Sequence, residues 1–250
     1  LELALTIVTG IYLLAALFNL YIPQTQVDHV PLSLRPAFLF REFNHCLKLL
    51  WRDKLGQISL ATTTLFWGAG ATLQFIVIRW AADALGYDLA QASMLQGVTA
   101  IGVAAGAAMA ARMITLRKSV KVIPMGIAMG FVVIAMNFIT AFWAAVPLLI
   151  IIGALSGFFV VPMNALLQHR GHILMGAGHS IAVQNFNENL AILMMTGLYA
   201  LLIWLNFSIY TVIATFGLFV AGTMYLVKRR FEANQRIHDD AIHLDDCNSH

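Results

Sequence analysis

The chain has 250 residues, of which 60% are hydrophobic and only 11% are charged, and its formal net charge is +3. Soluble domains carry about 25% charged residues, so this composition excludes a soluble domain and makes lipid the expected solvent. The basic residues form short clusters between apolar runs, which excludes a nucleic-acid-binding face. The sequence contains no Gly-rich loop ending in Gly-Lys-Ser/Thr and no His-Glu-x-x-His motif, so we expect no ATP hydrolysis, zinc centre or other cofactor.

Seven apolar stretches are long enough to cross a hydrocarbon core of about 30 Å as helices. The sequence therefore predicts an all-α membrane protein with spans at residues 3–22, 55–78, 92–111, 122–141, 145–167, 178–202 and 207–227. We place the break in the long uncharged run before Arg170 at 144–147, because Pro147 suits the first position of a new helix. The last break is predicted at 205–208.

The basic residues predict the orientation of the spans, because cytoplasmic loops are enriched in Lys and Arg. With seven crossings, fourteen of the fifteen Lys and Arg residues fall on one side and Arg79 alone falls on the other. This predicts an outside start and a cytoplasmic tail at 228–250, polar and mobile from Phe231 onward. The chain begins with Leu inside an apparent span, so we expect it to be the C-terminal part of a longer protein. Residues 1–22 would then be the last helix of an N-terminal half.

Residues 23–54 form the longest predicted cytoplasmic loop, and an amphipathic helix is predicted after Pro36. Its apolar face carries Phe40, Phe43, Leu47, Leu50 and Trp51. Such a helix either lies in the membrane interface with its cations near anionic headgroups or packs on the bundle as a linker.

Residues 55–227 are predicted to form a six-helix bundle with closely packed helices. Glycines four residues apart allow helix backbones to approach each other, and three such pairs occur in successive spans: Gly102 and Gly106, Gly126 and Gly130, and Gly153 and Gly157. The pairs fit static packing as well as helices that slide or rock.

Glu188 is the one formal charge between Arg170 and Lys228. A carboxylate inside a span is costly and usually faces the protein interior or a wet cavity, which makes it a functional-site hypothesis. Helical spacing places Asn185 and Asn189 on the face of Glu188, with Gln184 one turn before it. This stripe would grip a polar headgroup, an ion or a partner helix; the alternative is a patch that only joins helices by hydrogen bonds.

Other polar residues within the spans are expected to converge on each other or on water, since unpaired polar groups in hydrocarbon are costly. Together they predict a polar-lined cavity with wide apolar walls. The candidates that we add to the stripe are Thr63, Trp67, Gln74, Gln96 and Asn164.

The order of one helix, a long loop and six helices resembles the major facilitator superfamily, in which such a loop joins two six-helix halves. The basic turn at 112–121 lies where that superfamily has a basic loop, although the usual Gly-x-x-x-Asp pattern is absent. Four segments resemble the bacterial lysophospholipid transporters more closely: 68–75 (GAGATLQF), 98–103 (VTAIGV), 161–168 (VPMNALLQ) and 176–185 (GAGHSIAVQN).

The resemblance implies a transporter of the bacterial inner membrane, not an enzyme. It would flip lysophosphatidylethanolamine and lysophosphatidylglycerol inward by alternating access, for reacylation by an acyltransferase–acyl carrier protein synthetase. Its other partners would be membrane lipids and the N-terminal half. The candidate residues would meet the headgroup, with Glu188 paired to the ethanolamine ammonium or to a basic residue of the other half. Three alternatives remain open: a proton-coupled exporter of small amphiphilic drugs, a seven-helix receptor and a membrane-embedded acyltransferase.

Overall fold

The computed structural model describes residues 2–21 and 35–237, and every regular element in this part of the chain is a helix. The α-helices are α1 (Glu2–Asn19), α2 (Pro36–Arg52), α3 (Lys54–Leu85), α4 (Leu89–Met113), α5 (Ile123–Ala135), α6 (Phe142–Met175), α7 (Ala177–Trp204) and α8 (Ile209–Ile237). Short 3-10 helices, Leu116–Val122 and Met136–Phe138, flank α5. The predicted all-α membrane architecture is confirmed.

Six helical stretches of the described residues are long and apolar enough to cross a membrane, and they are α3, α4, α5 with its flanking turns, α6, α7 and α8. The apolar part of α1, Leu5–Asn19, is shorter, so its assignment as a span stays a prediction. The chain divides into two compact units, Leu1–Leu39 and Phe40–His250, and α1 belongs to the first. The predicted linker segment 23–34 and the tail end 238–250 lie outside the described residues.

The break between the fourth and fifth predicted spans was placed wrongly. Helix α6 begins at Phe142 after an extended Ala141, so Pro147 lies inside the helix. The chain turns earlier because the indole Nε1 of Trp80, on α3, donates to the carbonyl oxygen of Met136 at 3.1 Å. This long-range bond satisfies a carbonyl at the end of α5. Pro147 has no backbone N–H to donate within α6. The helix tolerates this missing hydrogen bond because groups of neighbouring helices can satisfy the freed carbonyl.

The start of the predicted mobile tail is also corrected, because α8 continues to Ile237. The side chain of Asn234 is buried, and its Nδ2 lies 3.4 Å from the carbonyl oxygen of Lys54. Arg230 donates from Nε to Gln57 Oε1 at 3.3 Å. The last turns of α8 are therefore attached to the beginning of α3.

Helix α2 packs on the bundle, as the linker alternative predicted. Cys46 and Leu50 are buried in one cluster with Leu60, Leu167 and Val183, which come from α3, α6 and α7. The outer residues of the predicted apolar face remain uncovered, since Phe40 is 74% and Trp51 is 42% exposed. These two side chains are placed to meet lipid while the rest of the face is used within the protein.

Helices α4 and α6 approach each other through interlocking glycines. A Cβ at Gly102 or Gly106 would overlap backbone atoms of Ile150 or Ala154, and a Cβ at Gly153 or Gly157 would overlap α4 in the same way. The third predicted pair behaves similarly, because a Cβ at Gly130 would come within 2.7 Å of the α8 backbone. The predicted close approach is thus present, while sliding of these helices remains a prediction.

A paired charge ties the start of α3 to the end of α6. Asp53 caps α3 by accepting from the amide of Gly56 at 2.6 Å. The same carboxylate accepts hydrogen bonds from Nε and Nη2 of Arg170 at 3.0 and 2.5 Å. Their side chains are only 22% (Arg170) and 12% (Asp53) exposed. The two-point geometry makes this pair stronger than an ordinary surface ion pair.

We expect Gly106→Ala to lower the free energy of unfolding by about 1–3 kcal/mol, because the added methyl group overpacks the α4–α6 contact. Thermal unfolding of the purified protein in detergent measures this. The control is Gly97→Ala on the same helix, where an added Cβ meets nothing within 4 Å. Equal effects of the two substitutions would contradict the close approach.

Arg170→Lys keeps the charge but loses the planar fork that binds both oxygens of Asp53. We expect a loss of about 1.5–3 kcal/mol in the free energy of unfolding, measured in the same assay. As a control, Glu232→Gln removes the exposed pair of Lys228 and Glu232, 3.8 Å apart one turn along α8, and should cost below about 0.5 kcal/mol. If Arg170→Lys left the free energy of unfolding unchanged, the positive charge alone would be enough to hold Asp53, without the two-point geometry.

Candidate functional site

Glu188 lies in a hydrogen-bonded chain that joins α6 to α7. The Nε2 group of Gln184 donates to Glu188 Oε1 at 2.8 Å and to Asn164 Oδ1 at 3.1 Å. An amide nitrogen carries two protons, so one Gln184 side chain satisfies both acceptors. Glu188 and Gln184 are each 8% exposed. We call Asn164, Gln184 and Glu188 the carboxylate network.

The local sequence explains why this network forms. Gln184 and Glu188 are four residues apart on α7, the spacing at which helical side chains meet. Gly171 lets Ser180 of α7 approach α6, because a Cβ at Gly171 would overlap the Ser180 hydroxyl. That contact sets the α6–α7 register and brings Asn164 to Gln184.

The second oxygen of Glu188 accepts no hydrogen bond from the described residues, and it is not one of their fully enclosed unpaired atoms, so the surroundings can reach it. A carboxylate inside a span with one donor is under-satisfied, and such a group is stabilised by a cation, by water or by a donor from elsewhere. The amide pair of Gln184 and Asn164 does join two helices, as the structural alternative predicted. Glu188 adds an acceptor that this joint does not require.

Asn185 and Asn189 flank the network on the open side of α7. Both are exposed, and Asn189 donates from Nδ2 to the carbonyl oxygen of Asn185 at 2.7 Å. The side-chain Oδ1 atoms of Asn185 and Asn189 accept no hydrogen bond from the described residues and remain available on the surface. The predicted stripe consists of a packed edge, Gln184 and Glu188, beside an open face with Asn185 and Asn189.

A second polar group joins α3 to α4. Gln96 donates from Nε2 to the carbonyl oxygen of Gln74 at 2.9 Å, and the Gln74 side chain is exposed. Trp67 lies nearer the start of α3, 42% exposed, with its ring edge-on to Phe66. Thr63 is fully buried and donates to the carbonyl of Leu60 in its own helix. Its hydroxyl proton is thus used within α3.

The carboxylate network and the pair of Gln74 and Gln96 lie at different depths along the helices, which the sequence did not indicate. Gly68 of α3 meets Ala191 and Met195 of α7, and the ring of Phe75 stacks on Tyr199 at 6.0 Å. This register places Gln74 level with Leu198, ten residues from Glu188, or roughly 15 Å along the helix. The carboxylate network and the pair of Gln74 and Gln96 are therefore too far apart for one small polar group to contact both at once.

Sequence reasoning counted Thr64 among the polar residues of the spans without making it a site candidate, and it overlooked Asp83. The hydroxyl of Thr64 is buried, has no hydrogen-bond partner among the described residues, and lies level with Glu188 in the α3–α7 register. Asp83 pairs with Arg79, whose Nε lies 3.1 Å from Asp83 Oδ2. The four-residue spacing of opposite charges was the available signal for this pair.

We expect Asn189→Cys to react with a membrane-impermeant maleimide far faster than Leu190→Cys, which lies about 100° away around α7. Both positions are exposed, so the comparison separates water from lipid, and it is made in membranes of a Cys247→Ser background. Cys46 adds little labelling, because burial, and then the nearby Glu42 carboxylate, raise the pKa of its thiol. Equal labelling at 189 and 190 would contradict a wet face beside Glu188.

Comparison with known proteins identifies relatives over most of this chain. The lysophospholipid transporter LplT of Serratia proteamaculans (strain 568) is 44% identical over 199 residues, which is 79% of this chain and 50% of that protein. The lysophospholipid transporters LplT of Yersinia pestis (strain Pestoides F) and Yersinia pseudotuberculosis serotype O:3 (strain YPIII) are each 43% identical over 210 residues, covering 84% of this chain and 52% of theirs.

The chain thus spans about half the length of the curated relatives that it matches. No family model matches it, and no solved structure matches it significantly. The predicted resemblance is confirmed by this level of identity: the chain is a homologue of the bacterial lysophospholipid transporters over the part of their length that it spans.

Proposed function

We propose that this chain is the C-terminal part of an alternating-access transporter that moves lysophospholipids from the outer to the inner leaflet of the bacterial inner membrane. The names of its relatives support lysophospholipid as the cargo. The six apolar helices support a multi-pass membrane protein. The basic loops favour a cytoplasmic C-terminus.

The observation that carries the mechanism is the single donor shared by Glu188 and Asn164. Gln184 holds one oxygen of Glu188 in place and leaves the other oxygen for cargo. The ammonium of lysophosphatidylethanolamine is a suitable partner for that oxygen, and the exposed amides of Asn185 and Asn189 are suited to the phosphate and glycerol groups. The acyl chain would lie against the exposed apolar face of α7, where Leu193 is 71% and Met194 is 66% exposed.

The cargo would meet the two polar groups one after the other. A headgroup arriving from the outer side would first reach Gln74 and Gln96 and then, about 15 Å deeper, the carboxylate network. The helices that would line the path are α3, α4, α6 and α7, facing an N-terminal half. The product would be reacylated by an acyltransferase–acyl carrier protein synthetase on the cytoplasmic side.

Lysophosphatidylglycerol has no cation for Glu188, so its transport needs a different role for the carboxylate. We propose that Glu188 then pairs with a basic residue of the N-terminal half and releases it as the two halves rock. This role predicts that Glu188 matters for both lipids, whereas ammonium recognition alone predicts an effect on lysophosphatidylethanolamine only.

We expect Glu188→Gln to lower uptake of labelled lysophosphatidylethanolamine by spheroplasts about 10- to 100-fold, the value of one lost charge-assisted hydrogen bond. Glu188→Ala should be at least as impaired. The control is Leu226→Ala, an exposed apolar position (65%) on α8, away from the helices that would line the path, and it should transport normally. Normal uptake at normal expression in both Glu188 variants would remove Glu188 from the mechanism.

The second candidate function is a proton-coupled exporter of small amphiphilic drugs, which the position of an ionisable side chain in a span favours. An uncoupler distinguishes the two. Collapse of transport on addition of the uncoupler, with drug efflux by the same protein, would favour the exporter. Lysophospholipid uptake that is indifferent to the uncoupler would favour lipid flipping.

A further inference from the structure

A polar cavity of about 240 Å³ opens at the end of the bundle opposite the basic loops. It is lined by Arg79 and Asp83 of α3, by Ile203 of α7, by the α7–α8 turn 206–208, and by Ile209 and Tyr210 of α8. Its walls are fixed by backbone bonds, since the amides of Asn206 and Phe207 donate to the carbonyls of Ile203 and Leu202. Asn137 holds the start of α8 by donating to the Tyr210 carbonyl at 3.0 Å.

A separate apolar cavity of about 60 Å³ lies nearer the membrane centre. It also lies among α3, α7 and α8, and its lining includes Thr72, Leu202, Val212 and Phe216. Leu202 adjoins Ile203 in sequence, Val212 lies two residues after Tyr210, and Thr72 lies about 10 Å from Arg79 along α3. The polar and the apolar cavity thus lie one after the other between α7 and α8, beside α3, and we call this region the α7–α8 crevice.

The crevice is open on the lipid side. Phe207, at its polar end, is 46% exposed, and Phe219 and Leu198, at its apolar end, are 42% and 47% exposed. An amphiphile entering from the membrane would therefore place its headgroup and its tail in the two cavities without crossing a closed wall.

The charges select the type of headgroup. Arg79 and Asp83 lie 3.1 Å apart, with side chains 56% and 38% exposed, so they are accessible and weakly held to each other. A phosphoethanolamine group carries an anion and a cation a few bonds apart, and it can insert between the pair so that each charge meets its opposite. An anionic headgroup satisfies only Arg79 and leaves Asp83 repelled.

We propose that the α7–α8 crevice is a binding site for a zwitterionic phospholipid with a single acyl chain, separate from the carboxylate network. Arg79 binds the phosphate, Asp83 binds the ammonium, and the cavity below Leu202 takes the first methylenes of the chain. The apolar cavity of about 60 Å³ has room for part of one chain, so a lipid with two chains leaves one of them outside. Identifying the occupant as the cargo of the transporter rests on the proposed function; its recognition by the paired charges does not.

Photo-cross-linking to the purified intact transporter tests the site without requiring transport. A lysophosphatidylethanolamine probe with a diazirine near the glycerol end of its chain is expected to label peptides from 198–219. Unlabelled lysophosphatidylethanolamine and lysophosphatidylglycerol then compete with the probe. We expect Asp83→Asn to weaken competition by the ethanolamine lipid about three- to fivefold and to leave competition by the glycerol lipid unchanged or improved.

Two further variants separate recognition from folding. Arg79→Gln should weaken both competitors, and Thr215→Trp, an exposed position lining the apolar cavity, should reduce cross-linking of the probe by blocking the tail. Equal effects of Asp83→Asn on the two lipids, or full cross-linking in Thr215→Trp, would overturn the proposal. If wild-type spheroplasts take up neither lipid while the cross-linking pattern holds, the proposed function fails and this site stands.

Discussion

The interlocking of α4 and α6 through their glycines is the contact on which the rest of this bundle depends. It brings two backbones closer than any side chain would allow, and it thereby fixes the position of α6. Helix α6 in turn carries Asn164, which receives Gln184, and Arg170, which holds the start of α3 through Asp53. The packing of small residues thus determines where the polar groups of three helices are placed.

The three side chains of the carboxylate network therefore differ in role: Gln184 and Asn164 join two helices, whereas Glu188 is only partly hydrogen-bonded. Gln184 and Asn164 form a hydrogen bond between helices of the kind that stabilises many membrane proteins. Glu188 accepts one hydrogen bond from the same amide, and its other oxygen accepts none from the described residues. In a soluble protein water would satisfy that oxygen, whereas within a span the environment must supply water, cargo or another helix. We therefore propose that a second component completes the site.

Hydropathy predicted the six long spans because lipid demands about 20 apolar residues per crossing, and Glu188 was found because it interrupts such a run. The pairing of Gln184 with Glu188 followed from helical spacing. What sequence could not supply was register between helices. The break before α6 depends on a bond from Trp80, 56 residues away. The partnership of Gln184 with Asn164, and the separation of Gln74 from Glu188, likewise depend on how α3, α6 and α7 are aligned. The pair of Arg79 and Asp83 was readable locally, but its cavity is formed by the distant α7–α8 turn.

We propose that Glu188 and its amide partners meet the headgroup in a wet space between two halves. Cryo-electron microscopy of the intact transporter with lysophosphatidylethanolamine tests this most directly. We expect headgroup density within hydrogen-bonding distance, roughly 3 Å, of the free oxygen of Glu188, with a single tail along the apolar face of α7. Density elsewhere, with Glu188 enclosed by helices of its own bundle and dry, would contradict it.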